Sequence, residues 1–200
     1  MRRATIGFRI KSGWAMAVVL VGPTATPRVL ERRRVALSDP RVPRTIQPYH
    51  AGFGLAQTSR RRIAALVRIV ERCARRSVGE LVGDARAAGL DLRAAALVVG
   101  SVIDPASIGN PHIRAHASEG ALFRRVVAEA VARHGLKSVV VLEREVYDAA
   151  ARATRRPARQ VKTMVAELGH SLEGSWRAED KTAAAAAWLA LVRPPGRRGR

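Results

Sequence analysis

Five carboxylates stand near the end of an apolar run or the start of the last helical stretch: Asp104, Glu143, Glu145, Glu179 and Asp180. Such groups could hold Mg²⁺ or Mn²⁺, because a hard cation takes oxygen ligands. Two such ions can clamp the attacking and leaving oxygens of a phosphodiester. Glu143 and Glu145 are two apart, so an extended chain would put both on one side. The competing reading pairs them with nearby arginines such as Arg144 and Arg177. A second set is His112, His116 and Glu119. Its histidines lie one helical turn apart, with the glutamate three residues further on. That spacing could bind a metal, or give a base with a carboxylate to orient it. It lacks the His-Glu-x-x-His order of the zinc proteases. The plainer reading is a polar helix start bonded to its preceding loop. Arg114, in the same segment, would suit a phosphate at a helix N-terminus.

Several chemistries are absent. The single cysteine, Cys73, excludes an internal disulfide framework and a cysteine-based zinc site, and reads as a small buried helix residue. There is no Walker sequence. Gly52-Phe53-Gly54 lacks a third glycine at the needed spacing and follows no clear strand. No Gly-x-Ser-x-Gly elbow occurs. No cofactor is expected, apart from Mg²⁺ or Mn²⁺ if the chain is a nuclease.

Charge is the outlier of the composition. Among 200 residues, 36 Lys and Arg oppose 16 Asp and Glu, for a net charge of +20. Only Lys11, Lys137, Lys162 and Lys181 are lysines, so the excess is arginine. An acidic partner follows, with nucleic acid first among them. A genome rich in arginine and alanine codons is the alternative source. The candidate phosphate contacts are Arg9, Lys11, Arg60, Arg61, Arg62, Arg114, Arg155, Arg156, Arg159, Lys162 and Arg177. Aromatic residues make up 4% of the chain, and Tyr49, His50 and Phe53 form their one cluster. That cluster would equally seal a core at a helix start. Duplex or structured nucleic acid therefore fits better than single-strand coating.

The elements that must position these residues follow from pattern. Thr5–Lys11 alternates, Trp14–Val21 is continuously apolar, and Arg28–Leu37 is a weaker third strand. Exposed Arg28–Arg34 would be an edge, and such an edge could pair with a second copy. A loop with Pro40, Pro43 and Pro48 follows. Ile63 to Ala74 shows one apolar helical face. Ser77-Val78-Gly79-Glu80 has the form of a capping box and predicts a second short helix, ended by Gly89. Leu92–Gly100 reads as a buried strand, Ile113–His134 as a helix, and Ser138–Leu142 as a short strand. Helices are predicted over Tyr147–Thr154, Pro157–Leu168 and Ala178–Val192. A basic disordered tail is predicted over Arg193–Arg200. No run reaches the ~18 apolar residues of a membrane helix. The N-terminal stretch reads better as strand than as signal peptide, so a cytoplasmic protein is expected.

Strand, strand, strand, helix, strand, helix, strand and helices give an α/β domain over residues 1–192. Its sheet is mixed and five-stranded, a three-strand antiparallel meander plus two crossover strands, with helices on both faces. This order resembles the ribonuclease H-like fold, and in layout the RuvC-type Holliday-junction resolvases, over roughly residues 5–192. The matching stretches are Ile6-Gly7-Phe8, Ala96-Leu97-Val98-Val99, Asn110-Pro111 and His116 to Ala121. Arg159 to Val165 and the alanine-rich Ala183–Leu191 complete them.

The resemblance implies DNA cleavage by two metal ions held by four carboxylates. The first belongs in the first strand, just after Ile-Gly, where this chain has Phe8-Arg9-Ile10-Lys11. The second belongs at the end of the fourth predicted strand, where Gly100-Ser101 stand. The last two belong about one turn apart at the start of the final helix, where Glu179 and Asp180 are adjacent. The actin and sugar-kinase relatives need an Asp-Gly phosphate loop in the first hairpin, and Lys11-Ser12-Gly13 is there instead. In this fold the last strand lies beside the fourth, so Glu143 and Glu145 could approach Asp104. The resulting expectation is a nucleic-acid-binding domain lacking the two-metal reaction. The alternatives are an active nuclease with relocated acids, or a protein-interaction module.

Overall fold

The computed structural model of the chain describes residues 2–170 and 172–194. Three strands open it: β1 (Arg2–Lys11), β2 (Trp14–Val21) and β3 (Arg28–Ala36). A small hairpin, β4 (His50–Gly52) and β5 (Leu55–Ala56), precedes α1 (Arg60–Ala87) and β6 (Leu90–Val99). Then come α2 (Pro111–Arg133), β7 (Lys137–Leu142), α3 (Val146–Thr154), α4 (Ala158–Glu167) and α5 (Ala178–Val192). The main sheet has the order β3-β2-β1-β6-β7. The first three strands pair antiparallel, whereas β6 runs parallel to both β1 and β7. This is the mixed five-stranded sheet that the pattern predicts.

Alternation along β1 assigns its two faces. Ile6, Phe8 and Ile10 join a buried cluster with Val78 and Leu81 of α1 and Phe123 and Val127 of α2. Val98 of β6 and Val18 of β2 join the opposite cluster with Trp188 of α5, Val146 of α3 and Val161 of α4. Thr5, Gly7, Arg9 and Lys11 share that second face, since side chains on a strand alternate. There α5 lies directly on β1. A Cβ on Gly7 would stand 1.9 Å from the Ala183 carbonyl oxygen, so only glycine fits. Thr5 Oγ1 donates to the Ala187 carbonyl at 2.7 Å. The run Ala183–Ala187 is wholly buried, and its short side chains permit this approach.

The structure corrects three expectations. Residues 60–87 form one helix, not two. The Ser77 hydroxyl bonds the Cys73 carbonyl at 2.8 Å and the Ala36 carbonyl at 2.6 Å. It thus ties mid-helix to β3 instead of capping a new helix. The Pro-rich loop carries the unforeseen β4–β5 hairpin. Glu143 and Glu145 lie in a 3₁₀ turn that begins directly after β7, so they do not share one side of an extended strand. The tail predicted over Arg193–Arg200 lies outside the described residues beyond Pro194. Among the described residues, no helix is long and apolar enough to cross a membrane.

Candidate site at the ends of the central strands

Three parallel strands, β1, β6 and β7, end at the same edge of the sheet. Arg9 is in register with Val98, and Val99 with Leu142. Glu143 therefore emerges two strands away from Arg9, about 10 Å at ordinary strand spacing. A long arginine side chain spans that gap. Arg9 Nε donates to Glu143 Oε1 at 2.8 Å, and Nη2 bonds Glu143 Oε2, making a two-pronged pair. Nη1 donates to the Ile10 carbonyl at 2.6 Å. Arg9 is only 4% exposed, so this guanidinium is a buried charge whose compensation is Glu143. Such a charge is tolerated because it is paired and hydrogen-bonded.

The other candidate acids are engaged separately. Glu179 sits 4.0 Å from Lys11 Nζ. Asp180 accepts from the Arg177 backbone N–H at 2.7 Å, capping α5, and from Arg32 at 3.4 Å. Its Oδ1 is buried without a partner. Asp104 caps its own short turn by accepting from the Ala106 N–H at 3.0 Å. Glu145 lies 3.5 Å from Arg144. Among the described residues no three carboxylates converge, and a guanidinium fills the end of β1. Among the described residues, this donor set therefore offers no cluster of oxygen ligands to fit a pair of Mg²⁺ or Mn²⁺ ions.

Arg9, Lys11, Gly100 and Ser101 border a cleft of about 280 Å³ whose far wall includes His116 and Glu119. That wall holds a cluster which sequence spacing reveals only in part. Asn110 caps α2 by accepting from the N–H groups of His112 and Ile113, at 3.0 and 3.1 Å. His112 and His116 then project one turn apart, with Nε2 atoms 3.3 Å from each other. Glu119 does not orient His116. It is 1% exposed and lies 2.7 Å from His50 Nδ1. Burial pushes the Glu119 carboxyl up, while the hydrogen bond and charge of His50 and a backbone hydrogen bond from Tyr49 pull the other way. The His116 imidazole is pushed down by desolvation and by His50 and His112 beside it. The rings of His50 and His116 are 4.4 Å apart between centroids, and those of His50 and His112 are 5.3 Å apart. Sequence proximity groups His50 only with Tyr49 and Phe53. Tyr49 does pack on the core, but Phe53 at the hairpin tip is fully exposed.

The basic residues divide into engaged and open groups. Arg32, Arg33 and Arg34 on edge strand β3 are all occupied. Arg32 bonds the Glu173 carbonyl at 2.8 Å, and Arg33 bonds Asp84 at 2.7 Å. Arg34 stacks 4.4 Å from the Trp14 ring centre. Arg114 reaches back to the Ile108 carbonyl at 2.7 Å, and Arg156 to the Ala25 carbonyl at 3.3 Å. Arg177 Nε bonds the Ser175 hydroxyl at 3.0 Å, and Lys162 lies 5.6 Å over the Tyr147 ring. Arg60, Arg61 and Arg62 are exposed in the first turn of α1, and Arg155 and Arg159 are exposed around the start of α4.

No model of a known protein family matches the chain. No curated protein matches it either. Solved structures do. A T. thermophilus RuvC in complex with a Holliday junction substrate superposes with a TM-score of 0.53 and 14% identity, covering 95% of this chain and 93% of that one. A Thermus thermophilus RuvC structure gives 0.55 and 14%, covering 94% and 93%. The fold is therefore ribonuclease H-like in its RuvC form, along nearly the whole chain.

Proposed function

We propose that the chain uses this RuvC-like fold to bind branched or duplex nucleic acid without cleaving it by the two-metal route. The observation that carries the proposal is Arg9. A buried guanidinium clamped by Glu143 occupies the end of the first strand, where the resembled nucleases hold a metal-binding carboxylate. With Glu143 drawn onto that guanidinium, the strand end presents an ion pair instead of the free oxygen ligands that a divalent cation takes. The net charge of +20 and the exposed arginines of α1 and α4 supply sequence-independent attraction to a phosphate backbone. The similar RuvC solved with a Holliday junction makes a four-way DNA junction the first ligand to try. Exposed Phe53 adds an aromatic face on which an unpaired base could stack.

The test is fluorescence anisotropy with a labelled four-way junction and a linear duplex at low salt, followed by gels after incubation with Mg²⁺ or Mn²⁺. Binding with intact DNA is the expected outcome. Failure to bind either DNA, or a matching RNA duplex, at low salt overturns the nucleic-acid reading. Metal-dependent cutting that Asp180→Asn abolishes would instead establish a nuclease working through relocated acids.

A further inference from the structure

We infer that His50, His112 and His116 form a binding site for one zinc-class divalent ion, with Glu119 orienting His50. Each histidine offers a ring nitrogen, and these three atoms all lie within 4.8 Å of one another. His112 Nε2 and His116 Nε2 are 3.3 Å apart. Ligands about 2.0–2.1 Å from zinc in tetrahedral geometry stand about 3.3–3.4 Å from each other, so this pair is already spaced as ligands.

The independent observation is His50. This side chain is 7% exposed, and its Nε2 is buried with no hydrogen-bond partner. Its other nitrogen, Nδ1, meets the buried Glu119 carboxylate at 2.7 Å. A carboxylate on Nδ1 holds the proton there and leaves the Nε2 lone pair for a metal, the arrangement by which outer carboxylates orient ligating imidazoles. A hydrogen bond between His112 and His116 would account for their closeness alone. It would leave His50 Nε2 unexplained, and His112 Nδ1 is buried without a partner as well.

The ligand set selects the ion. Imidazoles suit Zn²⁺, Ni²⁺, Cu²⁺ or Co²⁺, whereas Mg²⁺ and Ca²⁺ require oxygens. Three protein ligands leave one tetrahedral position, and exposed His116 puts that position at the cleft, where water can fill it. The positive chain as a whole opposes a cation. At physiological salt, however, exposed charges are screened beyond about 8 Å. The site ties the β4 segment to α2, two pieces of chain that sequence spacing alone does not connect. It does not depend on nucleic-acid binding.

Equilibrium dialysis of the full chain against Zn²⁺, with elemental analysis, tests the assignment. One equivalent of zinc should be retained, and Co²⁺ should give a visible ligand-field spectrum of tetrahedral type. His116→Ala, at an exposed position, should abolish stoichiometric retention while circular dichroism stays that of the parent chain. Glu119→Gln should weaken binding about 10–100-fold. His134→Ala and His170→Ala, outside the cluster, should retain the metal. A parent chain that retains no zinc overturns the inference, as does retention by His116→Ala equal to that of the parent.

Discussion

At the scale of single residues, Arg9 and Glu143 are unequal partners. Arg9 is buried, whereas the Glu143 side chain is 46% exposed. Glu143→Gln would leave a buried guanidinium without its counter-charge. Breaking a buried pair from one side costs about 3–5 kcal/mol. Water reaching the Glu143 position lowers that figure, so about 2 kcal/mol is expected here. Arg9→Met removes the buried charge and fills similar volume, and should be close to neutral. Urea unfolding of both variants checks the order, and a larger loss in Arg9→Met would show that Glu143 does not compensate Arg9. Arg9 is legible in the sequence as a base in a strand that the resemblance assigns to an acid. Its partner is visible there as a candidate acid, but not as a partner, because the pair crosses an intervening strand. His50 is illegible as a member of the histidine cluster for a related reason. Its carboxylate is 69 residues away, and no helical or strand period links the two.

At the scale of elements, close approach and open surface make opposite demands on glycine. Gly7→Ala would put a methyl group 1.9 Å from the Ala183 carbonyl oxygen and 2.6 Å from the Ala187 nitrogen. Both are backbone atoms of a buried helix, so α5 would have to lift from the sheet. A loss of about 3 kcal/mol is expected, at the upper end for overpacking. Gly83, on the exposed side of α1, has open space for 4 Å around the place a methyl group would take. Gly83→Ala should stabilise by about 0.5–1 kcal/mol through helix propensity and the unfolded chain. Thermal unfolding should move in opposite directions for the two variants, and equal shifts would mean that α5 does not seat closely on β1. The β1 and α2 regions are readable because each carries an apolar period, and β2, β6 and α5 because each is an almost unbroken apolar run. The capping-box pattern at Ser77 misleads because that residue lies inside one continuous helix, where the following N–H groups are already bonded and its hydroxyl donates to the Cys73 and Ala36 carbonyls instead of accepting from a free helix N-terminus. The 3₁₀ turn at Glu143–Glu145 escapes because three residues are too few to show a period.

At the scale of the whole molecule, the net charge of +20 is less uniform in its work than composition suggests. Arg32, Arg33 and Arg34 on β3 are bound to acids, carbonyls and a tryptophan ring, so their charge serves the fold first. Those at the start of α1 face solvent, and phosphate binding should come from that kind. The two groups therefore predict different signatures in one titration. Removing one phosphate-bound arginine should reduce the slope of log K against log salt by about 0.9 on duplex DNA. Replacing Arg60, Arg61 and Arg62 together by alanine should flatten the slope by one to three such steps while leaving unfolding nearly unchanged. Arg33→Ala should do the reverse, lowering stability by removing the Asp84 and Glu31 pairs and barely altering the slope. The Arg33 pairs are partly exposed, so the stability change should be no more than about 1 kcal/mol. If the triple variant bound DNA with the parent slope, the α1 start would not face the phosphates. The phosphate-binding groups would then have to be sought near Arg155 and Arg159, or in the cleft beside Lys11.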